Sequence, residues 1–502
     1  MKSKDSWPQE VKIMKYILAI DQGTTSSRAI LFDNTGKPIQ IAQREVTCLF
    51  PHSGWVEADA LAIWVSVMDV INEVLIKANM TIDDVATIGL TNQRETTVVW
   101  SKKTGMPVYN AIVWQSRQSA DICDKFSKEK ELIHQKTGLI INPYFSASKV
   151  RFILDHLENG QERAESGELL FGTIDSWIIY KLTSGKVHAT DVTNASRTLL
   201  FNINDMKWDE ELCQMFNIPM SMLPVVRPSA YDYGQATFLK SDVHITGVLG
   251  DQQAALFGQT CFESGESKNT YGTGCFLLVN TGDKPVFSNK GLLTTVAWQI
   301  GNKVTYALEG SVFIGGAIVQ WIRDEMQLIE HASDSEKVAQ MSHRSRVYIV
   351  PAFTGLGTPY WDDDARGAVF GLTRGTNKSQ FVRACLEAIA YQCKDVMEVM
   401  QKDAEQKISV LKVDGGATKN KYLMQFQSDI LHTTIKLPKC LETTALGAAY
   451  MAGLECGYYP NLESIKKIHE YQAIYEPQMS KKEIKELYKG WKTAIKATRM
   501  FK

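Results

Sequence analysis

Three short stretches of this sequence combine residue types that could hold a phosphate. In "DQGTTSSR", residues 21–28, one glycine permits a tight turn after a strand, and Thr24, Thr25, Ser26 and Arg28 can donate hydrogen bonds into it. Such a hairpin can cradle phosphate with backbone N–H groups, although an ordinary Ser/Thr-rich turn has the same composition. It fits neither the P-loop pattern nor the dinucleotide fingerprint. "YGTG", 271–274, repeats a Gly-Thr turn around Thr273, and "VDGGATKN", 413–420, sets paired glycines between a strand and a helix, where a flat group can approach the backbone.

Other residues could handle a polar acceptor. "NQRETT" places Arg94 and Glu95, a donor fork beside an acceptor, at the end of a strand pattern, where by themselves they read more readily as a surface ion pair. "GDQQAALFG" sets Asp251 and Gln252 between the strand-like "HITGVLG" and an apolar helix, so Asp251 is either a helix cap or a carboxylate free to take a proton. Trp114, Tyr144 and Phe276 lie near turns, where such aromatics are more often core residues than ligand contacts. None of the nine histidines has a second ligand at helical spacing, so nothing suggests zinc.

The elements that must position these residues read as α/β. Residues 16–20, 28–33 and 38–46 alternate like three strands of a meander, with "NTG" at 34–36 as a turn. From Asp59 as N-cap, Leu61, Trp64, Val65, Met68, Ile71, Val74 and Leu75 recur at helical spacing up to about Asn79, and "VATIGL", 85–90, follows as a buried strand. The second half restarts the order. "KNTYGTGCFLLVNTG" is strand, turn, strand; "LLTTVAW" and "KVTYALE" extend it; helices are expected from about Phe313, near 378–404 and from about Asn420. A duplicated architecture results, with its junction near 250–260 and a cleft between the halves.

A chain of 502 residues predicts two domains. With 55 basic and 56 acidic residues it carries no electrostatic footprint of a nucleic-acid partner. Nine cysteines without a C-x-x-C pair fit a reducing cytoplasm, and no apolar run reaches the roughly 18 residues of a membrane span. Residues 1–14, "MKSKDSWPQEVKIM", lack the apolar core of a secretory signal and are set aside as an extension.

Taken in order, "DQGTTSSRA", "TNQRETT", "NAIVWQ", "PYFS", "TNASRTL", "GDQQAALFGQ", "KNTYGTGCF", "VPAFTGLG", "MQFQSDI" and "TALGAAY" resemble the glycerol kinases of the carbohydrate-kinase family, from about Tyr16 to the end of the chain. The resemblance implies two ribonuclease H-like (actin-like ATPase) domains in tandem, about 15–255 and 256–502, with the active site in the interdomain cleft. It implies that ATP and glycerol are substrates and that Mg2+ is held by Asp21 through water. Thr24, Thr25, Ser26, Arg28 and Thr273 would meet the phosphates, and Gly316, Gln320, Gly416 and Asn420 the rest of the nucleotide. Arg94, Glu95, Asp251 and Gln252 would take the hydroxyls, with Tyr144 adding a polar contact and Trp114 and Phe276 packing on the carbons. Asp251 would be the base. The family resemblance also implies a homodimer or homotetramer.

"YGQATFLKSDVHITG" matches neither the basic glycine-rich loop nor the phosphorylated histidine by which some members are regulated; His244 lies too near "GDQQ". A kinase for a larger polyol or ketose, and a switch ATPase of the actin or chaperone kind, share the nucleotide turns. They differ in the acceptor residues.

Overall fold

The computed structural model describes residues 15–362 and 364–501. The N-terminal extension, 1–14, lies outside the described residues.

The first sheet is built on a meander of three strands, β1 (Tyr16–Gln22), β2 (Ser26–Phe32) and β3 (Pro38–Glu45), and has β4 (Val85–Asn92) and β5 (Ile245–Gly250) on its other side. The spatial order is β5-β4-β1-β2-β3. β1 is antiparallel to β2, with Asp21 opposite Arg28, and parallel to β4, with Leu18 beside Ile88. Ile17 to Ile20 are all fully buried, as expected for a strand covered on both faces.

Helix α1 (Ala60–Ala78) begins at Asp59, whose carboxylate accepts from the Leu61 N–H at 2.8 Å, and ends at Asn79 in the left-handed conformation, φ 54°. Those bounds match the sequence reading, but its apolar stripe does not match fully. Val65 is 55% exposed, while Ile63, Val67 and Val70 fill the buried face. The segment is apolar nearly all round, so spacing alone could not select the stripe.

The second sheet repeats the plan. Its strands are β6 (Ser267–Tyr271), β7 (Cys275–Gly282), β8 (Leu293–Ile300), β9 (Lys303–Val312), β10 (Val410–Asp414), β11 (Thr434–Pro438) and β12 (Tyr471–Tyr475), in the order β8-β9-β7-β6-β10-β11-β12. β6 stands where β1 stands in the first sheet: antiparallel to β7 and parallel to β10, which is parallel to β11. β8 and β12 are additions at the two edges.

Between the sheets the chain forms helix α2 (Asp251–Gly258) and residues 259–266. Further helices are α3 (Ala317–Asp324), which starts four residues later than the sequence suggested, α4 (Lys378–Asp403), α5 (Lys421–Leu431) and α6 (Thr443–Glu455). Helix α6 crosses back over the first sheet and lies directly on α2. A side chain at Gly447 would run into the Ala254 carbonyl, and one at Gly89 into that of Ala448. This close approach is the physical role of the small residues in "TALGAAY".

Candidate active site

The phosphate-turn segments and the charged acceptor segments fall at or beyond the carboxyl end of a parallel strand or in the turn beside it. β1 ends in Asp21 and Gln22, β4 runs into Gln93, Arg94 and Glu95, β5 into Asp251, β6 into Gly272–Gly274, and β10 into Gly415 and Gly416. The crevice outside these ends is where α/β sheets bind ligands.

In the first turn the Gly23 N–H donates to the Ser26 carbonyl at 2.8 Å. Strand alternation then divides the hydroxyls: Ser27 is buried and paired with Ser66 of α1 at 2.8 Å, whereas Thr25 is exposed and Thr24, Ser26 and Arg28 are half-buried. Arg28 donates to Glu442, just before α6, at 2.9 Å. Asp21 lies in the field of Arg28, Asp251 and Glu442. Burial, with the two carboxylates adding and Arg28 opposing, pushes its pKa up to about 7.

The acceptor residues form a buried charge network whose partners differ from the sequence reading. Arg94 and Glu95 are no surface pair: both are buried, and their charged atoms stand 3.9 Å apart. Arg94 instead grips Glu309 of β9 with two N–H groups, at 2.5 and 3.0 Å, and its Nε lies 3.1 Å from Asp251. Glu95 accepts from Arg197 Nε at 2.6 Å, and Arg197 Nη2 donates to Glu309 at 3.1 Å. Glu95 holds a left-handed backbone, φ 62°, fixed by Ser146 Oγ and Lys149 Nζ donating to its carbonyl at 3.0 and 3.2 Å. The carboxylates diverge. Burial raises Glu95 despite Arg197 and Arg94; at Glu309 burial also raises, but the two guanidiniums outweigh it and hold the group at about 2.

Asp251 is the first residue of α2, not its cap. Gly250 takes the cap position, and Asp251 Oδ1 accepts from the Gln252 N–H at 2.7 Å. Gln252 Oε1 accepts from Lys268 Nζ at 2.5 Å, and Lys268 also donates to Thr270 Oγ1 at 2.9 Å. Burial lowers the Lys268 pKa to about 8. Thr270 pairs across β6 and β7 with Phe276, which puts their side chains on one face of the sheet. Trp114 packs edge-on to Tyr144 with centroids 5.4 Å apart, and its indole N–H donates to Thr24 Oγ1 at 2.8 Å. That bond ties the aromatic pair to the first turn.

The remaining predicted residues meet in one cavity of about 450 Å³, lined among others by Thr273, Gly316, Gln320, Gly416 and Asn420. The turn and α3 lock together: the Gly316 N–H donates to the Gly272 carbonyl and the Gly315 N–H to that of Thr273, both at 2.8 Å. Gly415, at φ 92°, approaches the Tyr271 backbone so closely that a Cβ would lie 2.5 Å from its carbonyl, whereas a Cβ on Gly416 would enter open space. Asn420 caps α5 and also donates to Ser335 at 3.2 Å. Arg197, Glu309 and Lys268 escaped the sequence reading. The available signal was a charged residue inside an otherwise apolar strand, as in "TYALEG", which must find a partner.

Residues 16–258 match the N-terminal domain, and 267–456 the C-terminal domain, of the FGGY family of carbohydrate kinases. The chain belongs to that family. It is 56% identical to a glycerol kinase of Geobacillus sp. (strain WCH70) and 55% identical to one of Listeria monocytogenes, covering 97% of this chain and 100% and 99% of theirs. The crystal structure of Plasmodium falciparum glycerol kinase with ADP superposes with a TM-score of 0.91 at 37% identity, over 97% of this chain and 98% of that one. A xylulose kinase of Lactobacillus acidophilus, at 23% identity and a TM-score of 0.86 over 96% and 98% of the two chains, shares the fold.

Proposed function

We propose that the protein transfers the γ-phosphoryl group of ATP to a terminal hydroxyl of glycerol, giving sn-glycerol 3-phosphate and ADP. One observation carries this reading. Asp251 lies 3.1 Å from Arg94 of a buried set of fixed donors and acceptors, suited to a small polyol, and in the field of Asp21 beside the first Gly-Thr turn, while the second Gly-Thr turn lines the 450 Å³ cavity. A switch ATPase has no use for the first.

In this reading the nucleotide base and ribose occupy the cavity at Gly316, Gln320, Gly416 and Asn420. Its phosphates lie between Thr273 and Thr24, Thr25, Ser26 and Arg28. Glycerol hydroxyls pair with Arg94, Glu95, Asp251 and Gln252, since a polyol must not leave a buried donor or acceptor unmatched. Tyr144 adds a polar contact, and Trp114 and Phe276 cover the carbons. Asp251 accepts the proton of the attacking hydroxyl, while Arg94 Nε, 3.1 Å away, holds that carboxylate in place. Phosphoryl transfer has a loose transition state, so alignment and charge stabilisation supply most of the rate.

Among the described residues no cluster of three or more His, Cys, Asp or Glu could hold a metal ion by itself. Magnesium keeps several waters and takes phosphate oxygens, so it needs one or two carboxylates. Asp21, a carboxylate at the carboxyl end of β1 beside the first turn, fits as its water-mediated holder. When bound, Mg2+ neutralises charge on the phosphates. We further infer a cytoplasmic homodimer or homotetramer, with residues 15–255 carrying the acceptor site and first turn and 256–502 the second turn and adenosine site.

The test is ADP release with magnesium-ATP and a panel of glycerol, xylulose, ribulose and gluconate at equal concentration. Glycerol should give the highest kcat/KM, and Phe276→Ala should relax rejection of the longer acceptors by about 10- to 200-fold. A higher kcat/KM for any pentulose or for gluconate replaces the proposal with a broader sugar-kinase reading, and glycerol-independent ADP release returns the switch ATPase.

A further inference from the structure

A second cavity, of about 420 Å³, opens at the opposite end of the second sheet. Ser264, Gly265 and Glu266, just before β6, form one wall; Lys407, Ser409 and Val410, at the start of β10, form another. The proposed nucleotide cavity lies beyond the carboxyl ends of β6 and β10, so the two sites are separated by the length of those strands.

The second cavity holds two lysines, Lys407 and Lys436, in excess of its ion-paired ones. Lys407, Lys412, Lys436 and Lys466 line it against a single lining carboxylate, Glu266. Lys412 is 5% exposed, and its ammonium is held by Glu266 at 3.0 Å and by the Thr260 carbonyl at 2.9 Å. Lys466 is matched at the rim by Glu263 at 3.0 Å and Glu463 at 3.4 Å. Lys436 stands 5.0 Å over the Tyr471 ring, and neither it nor Lys407 has a carboxylate partner among the described residues. His469, also in the wall, has a buried Nε2 with no hydrogen-bond partner. Burial, with the Lys412 charge adding, holds its pKa at about 4, so the ring is neutral near pH 7, with one nitrogen able to donate.

Cations gathered in a concavity repel one another, and a buried polar atom without a partner costs free energy. Both penalties are relieved by a multivalent anion. The volume lies in the range of small-molecule sites and exceeds what a bare ion needs. We propose that this cavity is an anion site, separate from the cleft, which takes a small phosphomonoester or diphosphate through Lys407, Lys436 and the His469 ring, with the fully bonded Lys412 ammonium behind them. The proposal does not depend on which acceptor the cleft phosphorylates.

Inorganic pyrophosphate titrated calorimetrically into the full chain, with ADP in excess and magnesium omitted, tests it. Wild type should show one saturable site, and the Lys407→Gln/Lys436→Gln double variant should bind at least about tenfold more weakly, as expected for two lost charge-assisted contacts. Lys407 is exposed, Lys436 is half-buried, and both are remote from the cleft, so the variant should keep the wild-type melting temperature and ADP affinity. Comparing the two proteins remains decisive even if ADP leaves the cleft open. Equal binding by both proteins, or no binding by wild type at about 10 mM, weaker than the range in which small ligands act, overturns the proposal.

Discussion

Glu309 is the residue whose removal should reveal most about how this site is held. It is fully buried on β9 of the second sheet, yet all its partners, Arg94 twice and Arg197 once, extend from the first half of the chain. Glu309→Gln keeps the volume but removes a charge that faces two buried guanidiniums, and it turns an amide N–H toward one of them. Breaking a buried ion pair from one side costs about 3–5 kcal/mol. That is a large part of the roughly 5–15 kcal/mol by which a domain is stable. Arg94 would then lose the grip that fixes its Nε beside Asp251, and a 1 Å misplacement at a reacting centre costs about 10²-fold in rate. Thermal unfolding and steady-state assays with glycerol should show both losses. The pH dependence has a defined sign. Glu309 titrates at about 2 in the folded chain against an ordinary 4.5, so its stabilisation is complete above about 4.5 and is lost as the pH falls from there through about 2. Glu309→Gln should flatten that part of the stability curve. A melting shift below about 2 °C, less than about 1 kcal/mol for domains of this size, with kcat/KM within about threefold of wild type, under 1 kcal/mol of transition-state binding, would refute the reasoning.

Asp251→Asn should keep ADP affinity and lose turnover by about 10² or more, the scale of a positioned base; near-normal turnover with magnesium-ATP removes Asp251 from that role. Lys268→Met should raise the KM for glycerol more than it lowers kcat, because Gln252 Oε1 loses the ammonium that orients it; steady-state titration of glycerol separates the two effects. Gly447→Ala should lower the melting temperature through overpacking of about 1–3 kcal/mol, since the new methyl meets the Ala254 carbonyl; an unchanged midpoint would mean that α6 can shift away from α2.

Element types and short-range chemistry are legible in the local sequence. Alternation and turn residues mark the meander of residues 16–45, Asp59 and Asn79 bound helix α1, and the glycine-rich turns mark where the backbone can approach a ligand, because each of these depends on neighbours a few residues away. Together with the resemblance, the motifs picked out Thr273, Gly316, Gln320, Gly416 and Asn420, which the fold gathers at one cavity although they are spread over about 150 positions of chain. What the tertiary structure alone decided is which charges meet. Arg94 sits next to Glu95 in the chain, but pairs with Glu309, 215 residues on, and Glu95 pairs with Arg197, 102 residues on. Adjacent residues on an extended or sharply turned backbone point different ways, so proximity in sequence says little about which charges neutralise each other. Val65 shows the same limit on a smaller scale: in a helix apolar nearly all round, only the packed sheet selects the buried stripe. The cavity at Lys407, Lys412, Lys436 and Lys466 belongs to this class too, since its lysines come from a loop, two strands and a helix and become neighbours only when the second sheet has formed.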